Sequence, residues 1–393
     1  MRSVGVVTGG RADFGIYRPL LRTIVADPSL TLSLLVTGMH LSTEFGLTAQ
    51  GIEEEGFHID DRIEMLLSSD SPEGIAKSMG LGTIGFAQAY ARRRPDVLVV
   101  LGDRFEMHAA ALAALPFKIP VAHIHGGEIT EGAFDNALRH SITKLSHLHF
   151  VATEEYGQRL VQMGEEPWRV TVSGALGLDN IQAMKLLGQG ELEVRIGLSL
   201  ERPPLLVTFH PVTLEYEHTE WHVRELLEAL RQVDLPIIFT MPNADTSGRA
   251  IAERVRAFTH ERQCARLVDN LGTQAYFSLM ACAAAMVGNS SSGIIEAMSF
   301  KLPVVNIGTR QTGRMKPKNV IDVGYHHEEI VAGIRQALDP GTRDILRDLV
   351  NPYGDGCAAG RILAKLKGVP LDATLLVKRW EQALGTAHVA ARG

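Results

Sequence analysis

Residues 97–150 read VLVVLGDRFEMHAAALAALPFKIPVAHIHGGEITEGAFDNALRHSITKLSHLHF, and this stretch decides the fold. Two apolar runs are typical of buried strands, residues 97–101 and 120–124, and each is followed by a polar segment that contains glycine. In an open parallel sheet, ligands bind where the strands pass into loops at their carboxyl ends. We therefore expect one crevice to collect the polar residues that follow such ends, namely Asp103, Arg104, His125, Glu128, Glu131, Asp135, Arg139 and His140. That set suits acid–base chemistry on a charged ligand better than it suits a packed core.

The same alternation of short β-branched runs and longer helical segments extends along the chain. Strands are predicted at residues 4–7, 31–36, 97–101, 120–124, 148–152, 170–172, 205–208, 236–240, 265–268, 285–287 and 303–306. Helices are predicted between them, for example at 71–94, 134–146, 221–230 and 247–260. This alternation indicates βαβ units and parallel sheets.

A pause in the series between Ser173 and Pro204 divides the chain. We predict an α/β protein with two doubly wound, Rossmann-like domains. Residues 1–178 form the N-terminal domain with the candidate catalytic carboxylates, and residues 179–370 form the domain that binds a nucleotide diphosphate. Residues 371–393 form a C-terminal helix or tail that is expected to pack back on the first domain.

Composition excludes several classes of partner. The 393 residues carry a formal net charge of -6 and no long Lys/Arg run, which argues against nucleic acid. No apolar run approaches the roughly 20 residues of a membrane span, and the N-terminus enters a strand without the apolar core of a signal peptide. The three cysteines, Cys264, Cys282 and Cys357, show neither metal spacing nor a disulfide framework. We expect a cytoplasmic protein that binds neither nucleic acid nor membrane.

The first loop, VVTGGRADFGIYRPL at residues 6–20, is a strand followed by glycines and a helix. Glycines allow close backbone approach to a ligand, a helix N-terminus favours anions, and Arg11 offers a fork for phosphate oxygens. The glycine spacing fits neither G-x-G-x-x-G nor G-x-x-x-x-G-K-[ST], which argues against bound NAD and against ATP hydrolysis. A tight turn that only packs is the open alternative.

The second loop, AAAMVGNSSSGIIEAMSFKLPVVNIG at residues 283–308, has the same order with three hydroxyls at the helix start. Hydroxyls and backbone N–H groups there form an anion nest. Glu296, one turn further on, is placed to accept both ribose hydroxyls, so the pattern indicates nucleoside diphosphate recognition. The alternative is a serine N-cap beside a solvated glutamate.

His210 directly follows a predicted strand in LVTFHPVT, and it is either structural or crevice-facing. Asp135 and Arg139 at i, i+4 could form a routine helix ion pair, and Asp103 with Arg104 could form a helix cap. The histidines at 123, 125, 140, 147 and 149 are dense, but no H-E-x-x-H pattern occurs, and no metal is predicted.

Seven motifs, in order along the chain, resemble those of the UDP-N-acetylglucosamine 2-epimerase family. They are VVTGGRADFG, VLGDRFEM, AHIHGGEITEGAFDNALRHSITKLSHLHF, SGALGLDNI, TFHPVT, GNSSSGIIEA and GTRQTGR, and they extend from Met1 to about Asp322. The match looks most like the hydrolysing branch, the bacterial sialic-acid and legionaminic-acid pathway enzymes. The resemblance implies the glycosyltransferase-B fold, an active site in the cleft between the domains, no cofactor, and a homodimer.

The implied chemistry couples loss of a proton to loss of a nucleotide. The C2 proton of an N-acetylhexosamine is not acidic, so without NAD its removal must accompany departure of the nucleotide from C1. Elimination gives a glycal, and water then adds back with inversion at C2 and releases the free sugar. This requires a carboxylate base, a proton donor, and groups that stabilise the leaving diphosphate.

The resemblance assigns roles residue by residue. The candidate catalytic residues are Asp103, His125, Glu128, Asp135 and His210, and neither Asp103 nor Asp135 is favoured as the single base. The candidate substrate-binding residues are Arg11, Arg104, Arg139, His210, Asn289, Ser290, Ser291, Ser292, Gly293, Glu296 and Arg310. Many relatives carry Glu where this chain has His125, so either His125 or Glu128 takes that role, or the step is handled differently.

The main expectation is a hydrolysing epimerase that converts UDP-N-acetylglucosamine and water to N-acetylmannosamine and UDP for nonulosonic acid synthesis. The nearest rival function acts on a UDP- or GDP-linked diacetamido trideoxyhexose of the legionaminic acid pathway. The sequence is also compatible with a non-hydrolysing epimerase, with a glycosyltransferase of the same fold and with a non-catalytic nucleotide-sugar sensor.

Overall fold

The computed structural model describes residues 1–67, 71–129, 135–241, 248–268 and 271–379. Within these ranges the chain forms two compact units. Unit 1 contains residues 1–128, 135–180 and 356–379, and unit 2 contains residue 129 and residues 181–355. No helix among the described residues combines the length and the apolar character that crossing a bilayer requires.

Unit 1 is built on a seven-stranded sheet in which all strand pairs are parallel. Its strands are β1 (Arg2–Thr8), β2 (Leu30–Thr37), β3 (Asp61–Ile63), β4 (Val97–Leu101), β5 (Val121–Ile124), β6 (Leu148–Val151) and β7 (Val170–Val172). The strand order is β3-β2-β1-β4-β5-β6-β7. Because successive side chains alternate between the two faces of a strand, Val6 and Val7 of β1 enter different core clusters on opposite faces.

Helices cover both faces of this sheet. In unit 1 they are α1 (Arg11–Ala26), α2 (Ala49–Glu54), α3 (Pro72–Arg92), α4 (Phe105–Ala114), α5 (Asp135–Leu145) and α6 (Glu154–Gln162), and α7 (Asp179–Ala183) leads out of it. The apolar side of α1 buries Tyr17, Leu20 and Ile24 against one face, and Phe86 of α3 packs with Ala110 of α4 against the other.

Unit 2 repeats the architecture with six parallel strands in the order β10-β9-β8-β11-β12-β13. The strands are β8 (Leu205–Thr208), β9 (Ile237–Thr240), β10 (Ala265–Val268), β11 (Ala285–Gly288), β12 (Val304–Ile307) and β13 (Val320–Val323). The helices are α8 (Gln189–Ile196), α9 (Thr219–Arg231), α10 (Gly248–Glu261), α11 (Gly272–Cys282), α12 (Ser291–Ile295), α13 (His327–Leu338) and α14 (Pro340–Leu346).

All eleven predicted strands are present, with ends that differ by at most a few residues. The two strands missed, β3 and β13, both lie at sheet edges. Edge strands have a neighbour on one side only, and the sequence DRI of β3 has no apolar run to reveal it. The predicted helices also form, although Phe134 and Ser247, where two were expected to start, lie outside the described residues.

The C-terminal part of the predicted second domain belongs elsewhere. Residues 356–370 were assigned to that domain, whereas they pack in unit 1 together with residues 371–379. Helix α15 (Ala358–Gly368) packs on α1, and α16 (Ala373–Leu376) follows it. The buried carboxylate of Asp179 accepts the backbone N–H groups of Ala358 and Ala359 at 2.9 and 2.7 Å, which satisfies the start of α15. The sequence carried no local signal for this return because α15 is apolar on one side like any other helix of the fold.

Candidate active site

Each sheet has one place where the strand order reverses direction. In unit 1 it lies between β1 and β4, and in unit 2 between β8 and β11. Open α/β sheets bind ligands at such switch points because the loops on either side diverge. The segments that follow these four strands carry Arg11, Asp103, His210 and Ser290. Predicted site residues therefore lie at the switch point of each sheet.

His125, at the end of β5, has an uncommon backbone conformation. Its φ is +63°, in the left-handed region that residues with a Cβ rarely adopt, and the residue is 8% exposed. The Nδ1 atom lies 2.6 Å from Oε1 of Glu128, and the buried Nε2 has no hydrogen-bond partner among the described residues. A carboxylate that accepts Nδ1–H leaves Nε2 as the basic nitrogen. Strain of this kind concentrates at functional sites.

Arg139 of α5 joins the predicted residues of unit 1 into one set. It is 3% exposed, donates from Nη1 to the carbonyl oxygen of His125 at 2.7 Å, and forms an ion pair with the carboxylate of Asp103. The same Nη1 lies 3.9 Å from Oε2 of Glu128. Arg139 therefore pairs with the loop after β4 and does not form the helix ion pair with Asp135 that the sequence allowed.

Asp135 begins α5 and is partly buried. Burial raises the pKa of its carboxyl group, and the negative charge of Asp103 raises it further, against the opposing effect of Arg104 and Arg139. A carboxyl group with a raised pKa is better matched to proton transfer near neutral pH than an ordinary aspartate. His140, on the same helix, has its pKa lowered by burial, and Glu131 lies outside the described residues.

Two further carboxylates, which the sequence interpretation missed, surround Arg104. Glu106 is fully buried and accepts from Nη2 and Nε of Arg104 at 2.7 and 3.2 Å, a bidentate arrangement. Asp13 is buried in the first turn of α1 and accepts the N–H of Gly9 at 3.2 Å. Burial raises the pKa of Asp13 to about 6, and the charge of Glu106 adds to this while Arg104 opposes it. The only sequence signal for Asp13 and Glu106 was that each is a charged residue next to apolar residues in its motif.

The raised pKa of Asp13 predicts a pH-dependent stability. Because the folded pKa, about 6, exceeds the ordinary 3.8, protonated Asp13 stabilises the fold fully below about pH 3.8, and this contribution is lost as pH rises through about 6. We compare the free energy of unfolding of Asp13→Asn with that of wild type by urea unfolding at two pH values. We expect the difference to shift by about 2 kcal/mol in favour of the variant when the pH is raised from about 4.5 to about 8. Exposed Glu73→Gln is the control. An Asp13→Asn difference that is the same at both pH values would contradict the prediction.

In unit 2, Asn289 holds the backbone of His210. Its side chain accepts from the N–H of His210 at 2.7 Å and donates to the carbonyl oxygen of His210 at 2.8 Å. Asn289 is fully buried, and both polar atoms of its side chain bind the backbone of His210. A substrate contact of Asn289 stays a prediction. Gly288 precedes it with φ +138°, and a Cβ there would lie 1.9 Å from the carbonyl oxygen of Thr208, so only glycine fits.

His210 itself is buried at the end of β8. Burial lowers the pKa of its imidazole to about 3, and the positive charge of Arg310 contributes in the same direction. The ring is therefore neutral at pH 7. Arg310 donates from Nη1 to the carbonyl oxygen of Asn289 at 3.1 Å. This hydrogen bond links the GTRQTGR loop to the loop that follows β11.

The loop at residues 289–292, which we call the serine loop, contains the N-cap that one of the two interpretations predicts, whereas nucleotide binding there stays a prediction. Ser290 is the N-cap of α12 and accepts from the N–H of Ser292 at 3.3 Å, as the capping interpretation predicts. Helix α12 is only five residues long, and Glu296 follows it rather than lying within it. Gly293 is buried against the side chain of Val304, while Ser291 and Ser292 are partly exposed at the helix start.

Tyr276 of α11 contacts the serine loop through Ser290 and Ser292, and the sequence interpretation did not identify it. Burial raises the pKa of its hydroxyl to about 12, and the negative charge of Glu296 acts in the same direction. Hydrogen bonds with the side chains of Ser292, Thr208 and Ser290 oppose this rise.

Arg11 is exposed at the first position of α1 in unit 1, where the start of a 16-residue helix favours anions.

Metal-ligand geometry occurs away from the predicted site residues. Within the described part of the chain, one trio offers ligand atoms close enough to share an ion, Glu225 of α9 with His326 and Glu328 at the start of α13. Glu225 already accepts from the N–H and Nδ1 of His327 at 3.0 and 2.8 Å. The trio contains no predicted catalytic or substrate-binding residue.

Comparisons with known proteins agree with one another. A profile of the UDP-N-acetylglucosamine 2-epimerase family matches residues 22–367. The GDP/UDP-N,N'-diacetylbacillosamine 2-epimerase (hydrolyzing) of Campylobacter jejuni is 43% identical over 323 residues, which cover 82% of this chain and 84% of that protein. The UDP-N,N'-diacetylbacillosamine 2-epimerase (hydrolyzing) of Legionella pneumophila is 38% identical over 379 residues, 96% and 99% of the two chains.

A solved structure, UDP-GlcNAc 2-epimerase from Neisseria meningitidis bound to UDP-GlcNAc, has a TM-score of 0.80 to this chain at 20% identity. The matched region covers 93% of this chain and 100% of the Neisseria chain. Together with the two doubly wound parallel sheets, this neighbour confirms the predicted α/β fold of the glycosyltransferase-B type.

Proposed function

The chain belongs to the UDP-N-acetylglucosamine 2-epimerase family as an enzyme of its hydrolysing kind, and from this premise we propose that it hydrolyses and epimerises a UDP-linked 2-acetamido sugar. The observation that carries the proposal is the buried set in unit 1, in which Arg139 binds Asp103 and the backbone of His125 while Glu128 orients the imidazole. These groups supply proton acceptors and donors together with a fixed positive charge.

In the proposed first half-reaction, a base of this set removes the C2 proton as the C1–oxygen bond breaks, and UDP leaves with the bonding electrons. Asp103 and Asp135 are the candidate carboxylate bases. Burial raises the pKa of Asp135, which supports a part for this carboxyl group in proton transfer without favouring it over Asp103 as the base. In the second half-reaction a proton returns to C2 from the opposite face and water adds at C1, so that the products are the free C2 epimer and UDP.

The nucleotide is assigned to unit 2. The hydroxyls of Ser291 and Ser292 at the helix start, with Arg310 nearby on the next loop, suit a diphosphate, and Glu296 suits ribose hydroxyls. The neutral imidazole of His210 can donate or accept one hydrogen bond without adding a charge. Arg11 and Arg104 are the proposed substrate contacts of unit 1.

Two sugars are candidates for the group on UDP. The names of the two relatives at 43% and 38% identity support N,N'-diacetylbacillosamine, whereas the structural neighbour bound to UDP-GlcNAc supports N-acetylglucosamine. We place diacetylbacillosamine first because those relatives are the more similar in sequence. GDP as the alternative nucleotide is supported by the name of the Campylobacter relative alone.

Proton NMR in deuterated water tests the function directly. The purified enzyme is incubated in parallel with UDP-N,N'-diacetylbacillosamine, its GDP analogue and UDP-N-acetylglucosamine. We expect free sugar with the manno configuration and deuterium at C2, together with released UDP. A UDP-linked epimer instead would indicate the non-hydrolysing reaction, and no exchange at C2 with any substrate would refute the proposal. The substrate with the highest kcat/KM identifies the sugar.

The homodimer is part of the same proposal. Exposed apolar side chains lie on two helices that pack together, Leu81 and Ile84 on α3 and Leu112 on α4. An exposed apolar group of this kind favours contact with another chain. Light scattering is expected to give the mass of two chains. The cytoplasmic location expected from the sequence remains a prediction.

A further inference from the structure

The last described residues of the chain are bound to unit 1 by a buried arginine. Arg169, which precedes β7 and is 1% exposed, donates to the carbonyl oxygens of Thr374, Leu375 and Val377 at 3.0, 2.7 and 2.9 Å. These carbonyls lie at the end of α16, where backbone acceptors have no partner within the helix. The segment from 373 to 379 therefore has a fixed place on unit 1, and we call it the C-terminal strap.

Lys378 of the strap contacts the end of a different helix. Its Nζ donates to the carbonyl oxygens of Ser146, Lys144 and Thr143 at 2.7, 3.1 and 3.3 Å. Thr143 and Lys144 lie in the last turn of α5, and Ser146 follows the helix directly. The ammonium group thus satisfies several carbonyls and places a positive charge where the helix dipole is negative.

A buried carboxylate holds Lys378 in this position. Glu165 is fully buried and accepts from Nζ of Lys378 at 2.7 Å, from Nζ of Lys144 at 2.6 Å and from Nε2 of His149 at 3.0 Å. Burial alone would raise the pKa of Glu165, but the hydrogen bonds from His149, Lys144 and Lys378 lower it to about 2. Glu165 is therefore charged at all working pH values, and the strap, α5 and β6 share one ionic contact.

The N-terminal half of α5 carries two residues of the proposed catalytic site. Asp135 begins the helix, and Arg139 reaches from it to Asp103 and to the backbone of His125. The helix is 11 residues long, so its two ends are about 16 Å apart. We expect a displacement at the Lys378 end to be transmitted along the helix and to shift Asp135 and Arg139 relative to Asp103 and His125.

We propose that Lys378 is a positioning residue for the reaction: its ammonium group fixes the C-terminal end of α5 and thereby aligns Arg139 and Asp135 with Asp103 and His125. The proposal rests on the proposed function for its catalytic consequence. The hold of Lys378 on α5 is a separate property that does not depend on the substrate.

The test compares three variants of the full chain. Lys378→Met removes the charge, Lys378→Arg keeps a donor at the same place, and Lys367→Met is the matched control. Lys367 also ties the C-terminal region to unit 1, through Asp27 at 2.6 Å, but does not contact α5. Amide hydrogen exchange of residues 135–145 is measured with kcat, KM and melting temperature.

We expect Lys378→Met to speed exchange in α5 about tenfold and to lower kcat about 10- to 100-fold with little change in KM, since misplacement of about 1 Å costs this much. Lys378→Arg should recover most of both, and Lys367→Met should change neither. Unchanged exchange in α5, an unchanged kcat, or an equal loss in Lys367→Met would overturn the proposal. If wild type turns over no nucleotide sugar, the proposed function fails, while the exchange experiment still decides whether Lys378 holds α5.

Discussion

Replacing Arg139 with methionine is expected to reduce turnover by at least about 10³-fold and to destabilise unit 1 by about 3–5 kcal/mol. The Arg139 side chain is 3% exposed, so the change removes a buried donor from the partly buried carboxylate of Asp103 and from the carbonyl oxygen of His125. Losing one partner of a buried charged pair costs far more than the pair contributes over an apolar substitute. Steady-state NMR assays and urea unfolding measure the two effects.

The control for Arg139→Met is Arg92→Met, because Arg92 pairs with Asp61 on the exposed surface. An exposed ion pair contributes about 0–1 kcal/mol, and we expect this variant to keep full activity. If Arg139→Met retained wild-type turnover, the buried set of unit 1 would not be the catalytic set. If it lost activity but kept its stability, Arg139 would act on the substrate rather than as the support of its neighbours.

Replacing His125 with asparagine is expected to lower kcat by about 10²–10⁴-fold, the usual range for removal of a general acid or base. Asparagine tolerates the left-handed backbone at φ +63°, so the fold should be kept while the basic Nε2 is lost. Glu128→Gln should lower kcat in the same direction, because an amide no longer fixes the imidazole as a carboxylate does. NMR-monitored turnover and deuterium incorporation at C2 provide the measurement.

Lys118→Asn is the matched control for His125→Asn. Lys118 is exposed and also has a left-handed backbone, with φ +53°, so the same substitution is made in the same conformation outside the predicted site. It should leave kcat unchanged. Retention of more than about half of the activity by His125→Asn would exclude His125 from proton transfer and leave that role to Asp103 or Asp135.

The residues that the sequence revealed best are those that follow an apolar strand directly. His125, Glu128 and Asp103 were identifiable because the strand end, the glycine and the charged side chain are adjacent in the chain. Hydrophobic periodicity finds such strands, and the topology of parallel sheets places their ends together. The same reasoning identified the loop after β11 but not the hydrogen bonds of the Asn289 side chain with the backbone of His210.

The residues that the sequence concealed act through partners far away in the chain. Asn289 holds His210, 79 positions earlier, and this contact exists only because β8 and β11 are neighbours in the sheet. Asp13 is influenced by Arg104 and Glu106 only because β1 lies beside β4. Periodicity predicts that strands exist but not their lateral order, so such contacts require the structure.

The return of α15 to unit 1 has a consequence for how the chain folds during synthesis. The ribosome makes most of unit 1 first, but α15, whose Ile362 and Leu366 cover α1, is made after all of unit 2. At about 5–20 residues per second, the intervening residues take on the order of ten seconds or more. During that time the face of α1 that α15 covers is open to water or to a chaperone. Unit 2 is nearly continuous in the chain, so it is the first unit that can fold completely, although its synthesis begins second.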